Sequence, residues 1–138
     1  MELSDKILKT LKLMDYMYPT DVQKEVIEPA LKGENVIVRS KTGTGKTAAF
    51  AIPICEAAVW ENNNPTALVL EPTRELSVQV KQEIFNIGRL KKLKVADLFG
   101  GFPIDKQILT LKQKTHIVVG TPGRIMDHLR RETLNLEN

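Results

Sequence analysis

Cysteine is nearly absent from this chain. Cys55 is the single one in 138 residues, which excludes an internal disulfide. Its place in an apolar stretch favours a buried thiol over a reactive one, and a reducing, cytoplasmic compartment is expected. No apolar run reaches the roughly eighteen residues that a membrane-crossing helix needs, and no basic-then-apolar leader is recognisable, so no membrane partner is expected. The two histidines, His116 and His128, lack cysteine or carboxylate partners at metal-ligand spacing, and no structural metal is expected. Aromatic residues make up only 5% and the net charge is +3, which permits a polyanionic partner but is poor for holding nucleic acid by base stacking alone.

What is present is an alternation. Short apolar runs at Val36–Val38, Ala67–Leu70, Val95–Leu98 and Ile117–Val119 read as strands, separated by helical stretches near 46–60, 74–90, 104–113 and 122–131. This pattern predicts one α/β domain with a mostly parallel sheet and helices on both faces. Ligands of such sheets gather beyond the carboxyl ends of the strands. Ahead of the alternation, Ser4 and Thr20 read as caps of two helices. Pro29 is expected to bend or break the second before Gly33 ends it.

The loops after the strands carry the chemistry. Ser40-Lys41-Thr42-Gly43-Thr44-Gly45-Lys46-Thr47 follows the first strand and opens a helix. Gly43 and Gly45 permit a tight turn whose N–H groups face inward and cradle phosphate. Lys46 supplies a cation for the β- and γ-phosphates, and the Thr47 hydroxyl is suited to Mg²⁺. After the second strand, Pro72, Thr73 and Arg74 place a stop, a capping hydroxyl and a guanidinium at one point. They suit a phosphate, and read equally as an ordinary helix start with a surface arginine. Gly100-Gly101 follows the third strand, and Thr121-Pro122-Gly123-Arg124 the fourth. Three phosphate-suited loops on one sheet edge fit a nucleic-acid backbone better than one nucleotide. Lys91-Lys92-Leu93-Lys94 reads as a solvated helix end.

In this order the motifs resemble the first RecA-like domain of a DEAD-box RNA helicase. Ser40–Thr47 is similar to motif I, Pro72–Gln79 to motif Ia, Gly100-Gly101 to the GG motif and Thr121–Arg124 to motif Ib. Tyr16, Pro19, Thr20, Val22 and Gln23 resemble the Q motif, which implies that Tyr16 and Gln23 belong to the nucleotide site and that Gln23 recognises adenine. The resemblance implies a RecA-like P-loop NTPase fold, ATP and Mg²⁺ as ligands, and Lys46 and Thr47 as catalytic residues. RNA would run over Pro72, Thr73, Arg74, Gly100, Gly101 and Thr121 to Arg124. It divides the chain into a Q-motif helical region, 1–33, and a partial RecA-like domain, 34–138. The stretches Ile84–Arg89 and Asp105–Lys114 are similar to bacterial helicases of the DbpA/YxiN type, which implies structured, ribosomal RNA and ribosome assembly.

The chain departs from the pattern as well. Asp15 and Lys41 stand where the family usually has glycine and glutamine, and an aromatic residue upstream of the Q motif is missing. Asp followed by Glu occurs nowhere in the 138 residues, so the acidic motif that names the family is absent. Glu71, one acid at a strand end, does not replace it. The expectation is an incomplete fold, part of a longer helicase whose second RecA-like domain supplies the rest. Alone it should be inactive, and either marginally stable or self-associating. Two other readings stay open: a P-loop enzyme of the small-molecule kinase type, and a non-catalytic RNA-binding module.

Overall fold

The computed structural model describes residues 3–13, 21–38 and 46–136. The expectations for Tyr16, Thr20 and Ser40 to Gly45, Thr42, Gly43 and Thr44 among them, lie outside the described residues.

Among the described residues three short strands form the sheet: β1 (Ala67–Leu70), β2 (Val95–Leu98) and β3 (Ile117–Gly120). All pair in parallel, in the order β1-β3-β2. Side chains alternate across a strand, so β3 serves two cores at once. Ile117 and Val119 face a large cluster with Val69, while Val118 faces a second cluster with Ala96 and Leu98.

Among the described residues six helices cover the two faces: α1 (Asp5–Leu13), α2 (Asp21–Leu31), α3 (Lys46–Ala57), α4 (Arg74–Ile87), α5 (Ile104–Leu111) and α6 (Pro122–Arg130). The larger cluster takes Ile7 and Leu11 of α1, Ile27 of α2, Ala51, Ile52 and Cys55 of α3, and Val80 and Ile84 of α4. The smaller takes Ile125 of α6 with Leu111 and Leu129 packed against it. Helices on both faces of a parallel sheet are therefore what the alternation in the sequence predicts.

Two expectations are corrected. Val36–Val38 is not a strand: Val36 and Val38 are 40% exposed and Ile37 is 100% exposed. A strand exists by pairing, and no described segment lies alongside to pair with this run. Pro29, expected to bend or break α2, does not break it: the helix runs through it to Leu31. Its missing N–H costs the helix one backbone bond, its carbonyl still accepts from Lys32 N–H at 3.1 Å and Glu34 N–H at 3.0 Å, and Gly33, at φ 79°, turns the chain out.

Lys91 is a third correction. It lies in a 3₁₀ turn, Arg89–Lys91, and its ammonium donates to the carbonyls of Cys55 at 2.8 Å, Glu56 at 3.1 Å and Ala58 at 2.8 Å. The last carbonyls of a helix have no partner within it, and a cation is favoured there. Lys91 thus closes the end of α3 instead of lying solvated.

Candidate functional site

Pairing register sets the site. Leu70 of β1 and Leu98 of β2 both stand opposite Gly120 of β3, so the three strands end on one row. The loops beginning at Glu71, Phe99 and Thr121 therefore leave the sheet side by side, with the Thr121 loop in the middle. Glu71 N–H donates to Gly120 O at 2.9 Å and Thr121 N–H to Leu98 O at 3.0 Å, which extends the ladder into the loops. Burial raises the Glu71 carboxyl above its ordinary pKa.

Each loop is then shaped locally. Thr73 is extended, and its hydroxyl accepts from Leu76 N–H at 3.2 Å, so it caps α4 as its residue type predicts. Thr121 holds the equivalent position before α6 but makes no capping bond with its side chain, and Pro122 starts the helix. Gly101, at φ 84°, takes a conformation that only glycine adopts without strain. A Cβ at Gly100 or Gly123 would meet nothing within 4 Å, so their backbones are open to a ligand.

The loops are also tied to one another. The Arg74 guanidinium lies 4.8 Å from the centre of the Phe99 ring, and Phe99 meets Phe102 edge to face at 5.8 Å. Arg124 is turned inward, its side chain 16% exposed. Its Nη1 donates to Phe102 O at 2.7 Å and to Gln107 Oε1 at 3.1 Å. From its motif Arg124 is expected to face a phosphate. The geometry shows a guanidinium that also fastens the glycine loop to α6.

Two residues of this cluster were missed by motif reading. Gln107 and His128 are both buried, and His128 Nε2 lies 2.8 Å from Gln107 Oε1. Gln107 Nε2 donates to Phe99 O at 3.0 Å. The available signal was spacing: His128 follows Arg124 by four positions, which places both on one side of α6. Burial and the nearby Arg124 charge lower the His128 pKa. His116, by contrast, is a satisfied core residue. Its Nδ1 accepts from Lys94 N–H at 2.8 Å, which leaves Nε2 to donate to Trp60 O at 2.9 Å.

On the nucleotide side, Lys46 and Thr47 are the first residues of α3 and are half-buried. Gln23 is buried on α2, the helix that packs on α3. A helix start carrying a lysine and a hydroxyl fits a phosphate group, and the Thr47 oxygen suits a hard cation such as Mg²⁺. Among the described residues no cluster of histidine, cysteine and carboxylates could hold a metal by itself.

The comparisons with known proteins agree with this arrangement. A family model described as DEAD/DEAH box helicase matches residues 20–138. The chain is 53% identical over 136 residues to the ATP-dependent RNA helicase DbpA of Bacillus subtilis, covering 99% of this chain and 28% of that protein. It is 43% identical to the DEAD-box ATP-dependent RNA helicase CshA of Bacillus cereus, covering 99% of this chain and 26% of that protein. Among solved structures, a DEAD box protein from Methanococcus jannaschii matches with a TM-score of 0.94 at 46% identity, over 100% of this chain and 38% of that one. S. cerevisiae Dbp5 bound to RNA and ADP BeF3 matches at 0.87 and 30% identity, over 98% of this chain and 34% of that one. The chain thus spans well under half the length of each of these proteins.

Proposed function

The chain belongs to the DEAD/DEAH box helicase family, and from that premise we propose that it is the ATP-side half of an RNA helicase. One observation carries this reading. Three loops leave one row of a parallel sheet side by side and are cross-linked by Arg74 on Phe99 and Arg124 on Phe102. Such a surface suits successive phosphates of one strand, contacted for position and not for sequence. A small-molecule kinase would leave these loops without a role.

In this proposal Thr73, Arg74, the Gly100-Gly101 backbone and the Thr121–Gly123 turn face the RNA backbone, with Pro72 shaping the first loop. Arg124 supports the second and third. Lys46 and Thr47 hold the phosphates of ATP with Mg²⁺, the loop of Thr42, Gly43, Thr44 and Gly45 surrounds them, and Tyr16 and Gln23 take the adenine. ATP with Mg²⁺ supplies the energy for remodelling, and the residues here bind and orient it. Phosphoryl transfer is mostly positioning and charge stabilisation, so a chain without the paired acids binds but does not turn over. A second RecA-like domain completes the site in the longer protein. A structured, ribosomal RNA and a cytoplasmic role in ribosome assembly belong to the same proposal, supported by the wording of Ile84–Arg89 and Asp105–Lys114. Alone, the chain self-associates through the exposed Val36–Val38 run and the outer edge of β1, where Leu70 is 53% exposed. Sedimentation should show a species that Ile37→Lys dissociates.

Calorimetry with Mg-ATP tests the main reading, on this chain and on Lys46→Ala, with phosphate release followed with and without RNA. Binding lost in the variant and no release from either protein is the expected result. Unchanged binding in Lys46→Ala removes the phosphate role of Lys46, and RNA-stimulated release from the 138 residues overturns the half-site reading.

A further inference from the structure

The hydrogen bonds beneath the three loops can be assigned from one fixed point. Arg124 donates only, because a guanidinium offers no acceptor and keeps its proton. The Gln107 atom 3.1 Å from Arg124 Nη1 must therefore be the carboxamide oxygen. That orientation turns the amide nitrogen to Phe99 O, 3.0 Å away, where a donor is required. The same oxygen lies 2.8 Å from His128 Nε2, so that nitrogen must carry a hydrogen. In a neutral ring Nδ1 is then the acceptor, and the Thr133 hydroxyl at 2.8 Å donates to it, while the His128 carbonyl, 3.2 Å from the same hydroxyl, takes Thr133 N–H at 3.0 Å. The Thr133 hydroxyl thus has a second acceptor in reach, so the firm points of the assignment are the Gln107 orientation and the hydrogen on Nε2.

We propose that Gln107 and His128 are positioning residues for the RNA surface, holding the Phe99–Phe102 glycine loop and Arg124 in a common register through the fixed orientation of the Gln107 carboxamide. Neither side chain reaches the surface: Gln107 is 3% and His128 0% exposed. They act through the two carbonyls that bracket the glycines. Phe99 O is held by Gln107 Nε2, and Phe102 O by Arg124, which Gln107 orients in turn. Gly100 and Gly101 lie between those anchors, and glycine has no side-chain contacts of its own to fix it. Arg124 and the Phe99 carbonyl prevent the carboxamide from flipping, since the flipped form would set an NH₂ against a guanidinium and an oxygen against a carbonyl, and His128 gives the correctly placed oxygen a second donor. The buried pair thus converts a flexible dipeptide into a preorganised phosphate cradle, while the ATP side, on α2 and α3, is untouched.

The inference rests on the RNA-surface reading, and the test separates the two. The whole protein that carries this chain is used, with single-stranded RNA affinity and ATP affinity measured for the parent, His128→Leu, His128→Gln and Arg74→Ala. ¹⁵N spectra of the parent imidazoles are recorded in parallel. A protonated Nε2 and bare Nδ1 on His128 are expected. His128→Leu should weaken RNA binding about five- to tenfold, the loss of one buried hydrogen bond, with ATP affinity unchanged within about twofold. His128→Gln, which keeps a donor near the Nε2 position, should recover most of it. A proton on Nδ1 with Nε2 bare overturns the assignment whatever the variants do. RNA affinity unchanged in His128→Leu but reduced in Arg74→Ala overturns the positioning role alone. RNA affinity unchanged in Arg74→Ala as well overturns the RNA-surface reading beneath it.

Discussion

Lys91→Met offers a direct measure of how one side chain secures the nucleotide-side helix. The substitution keeps a stem of similar length and removes only the ammonium. That group has three donors, and each is given to a different carbonyl at the end of α3: Cys55, Glu56 and Ala58. Hydrogen bonds to a charged group contribute about 1.5–3 kcal/mol each when isolated. Here one half-buried head makes all three, so its desolvation is counted once and solvent screens part of the gain. Interaction with the helix end adds about 0.3–1 kcal/mol. A net loss of about 2–3 kcal/mol follows, because water replaces the ammonium only in part. For a chain of this length that corresponds to roughly 6–12 °C in Tm. Thermal and urea denaturation of the two proteins would measure it, with RNA affinity as the control. A Tm shift below about 2 °C would refute the capping argument. A large loss of RNA affinity without loss of stability would return Lys91 to the role of a surface cation.

The remaining predictions concern titratable groups. Cys55 is buried and its thiol is pushed up to about 12, so alkylation at pH 8 should proceed only as fast as the chain unfolds. Rapid labelling of the native protein would contradict its packing against Ile84 O. Burial also raises the Asp97 carboxyl, against the opposing bond from Ser77 and the charge of Lys81. A raised folded pKa means that its contribution is full below the unfolded value near 3.8 and is lost as pH rises through the folded value. Asp97→Asn should therefore gain on the parent between acid and neutral pH, and equal pH profiles in urea denaturation would disprove it. For His128 the sign reverses. Its lowered pKa gives stability that is complete above 6.5 and declines as pH falls from there through the folded value. His128→Gln should flatten that part of the profile, and an unaltered slope would show that another group sets it.

The sequence made the elements of the sheet legible wherever a short apolar run met its partners. Ala67–Leu70, Val95–Leu98 and Ile117–Val119 are strands, and Thr73 caps α4 as its hydroxyl and position require. What could not be read was the direction in which long polar side chains turn. Arg124 and Lys91 both look like surface cations in one dimension. Arg124 points inward because α5 brings Gln107 beneath it and the glycine loop brings the Phe102 carbonyl. Lys91 reaches carbonyls 33 to 36 residues away, a relation that no local pattern encodes. His128 lies outside the motifs, and Gln107 stands in the Asp105–Lys114 stretch without a chemical role legible from it. Their importance arises from burial together, and burial of polar groups is a property of the fold.

Val36-Ile37-Val38 and Ile117-Val118-Val119 show most sharply what a run of β-branched residues does and does not determine. The two are nearly the same in composition, and each precedes a loop suited to phosphate. The second is the fully buried centre of the sheet, with β1 on one side and β2 on the other. The first is exposed and unpaired among the described residues. Propensity therefore does not separate them. β-propensity describes how well a side chain fits a pleated, half-buried surface, and that surface must be provided by neighbours. Where neighbours flank both edges, three β-branched residues are enough to fix a strand. Where none is alongside among the described residues, the same residues remain an apolar surface. Ile117–Val119 are thus a strand because β1 and β2 flank them on both sides.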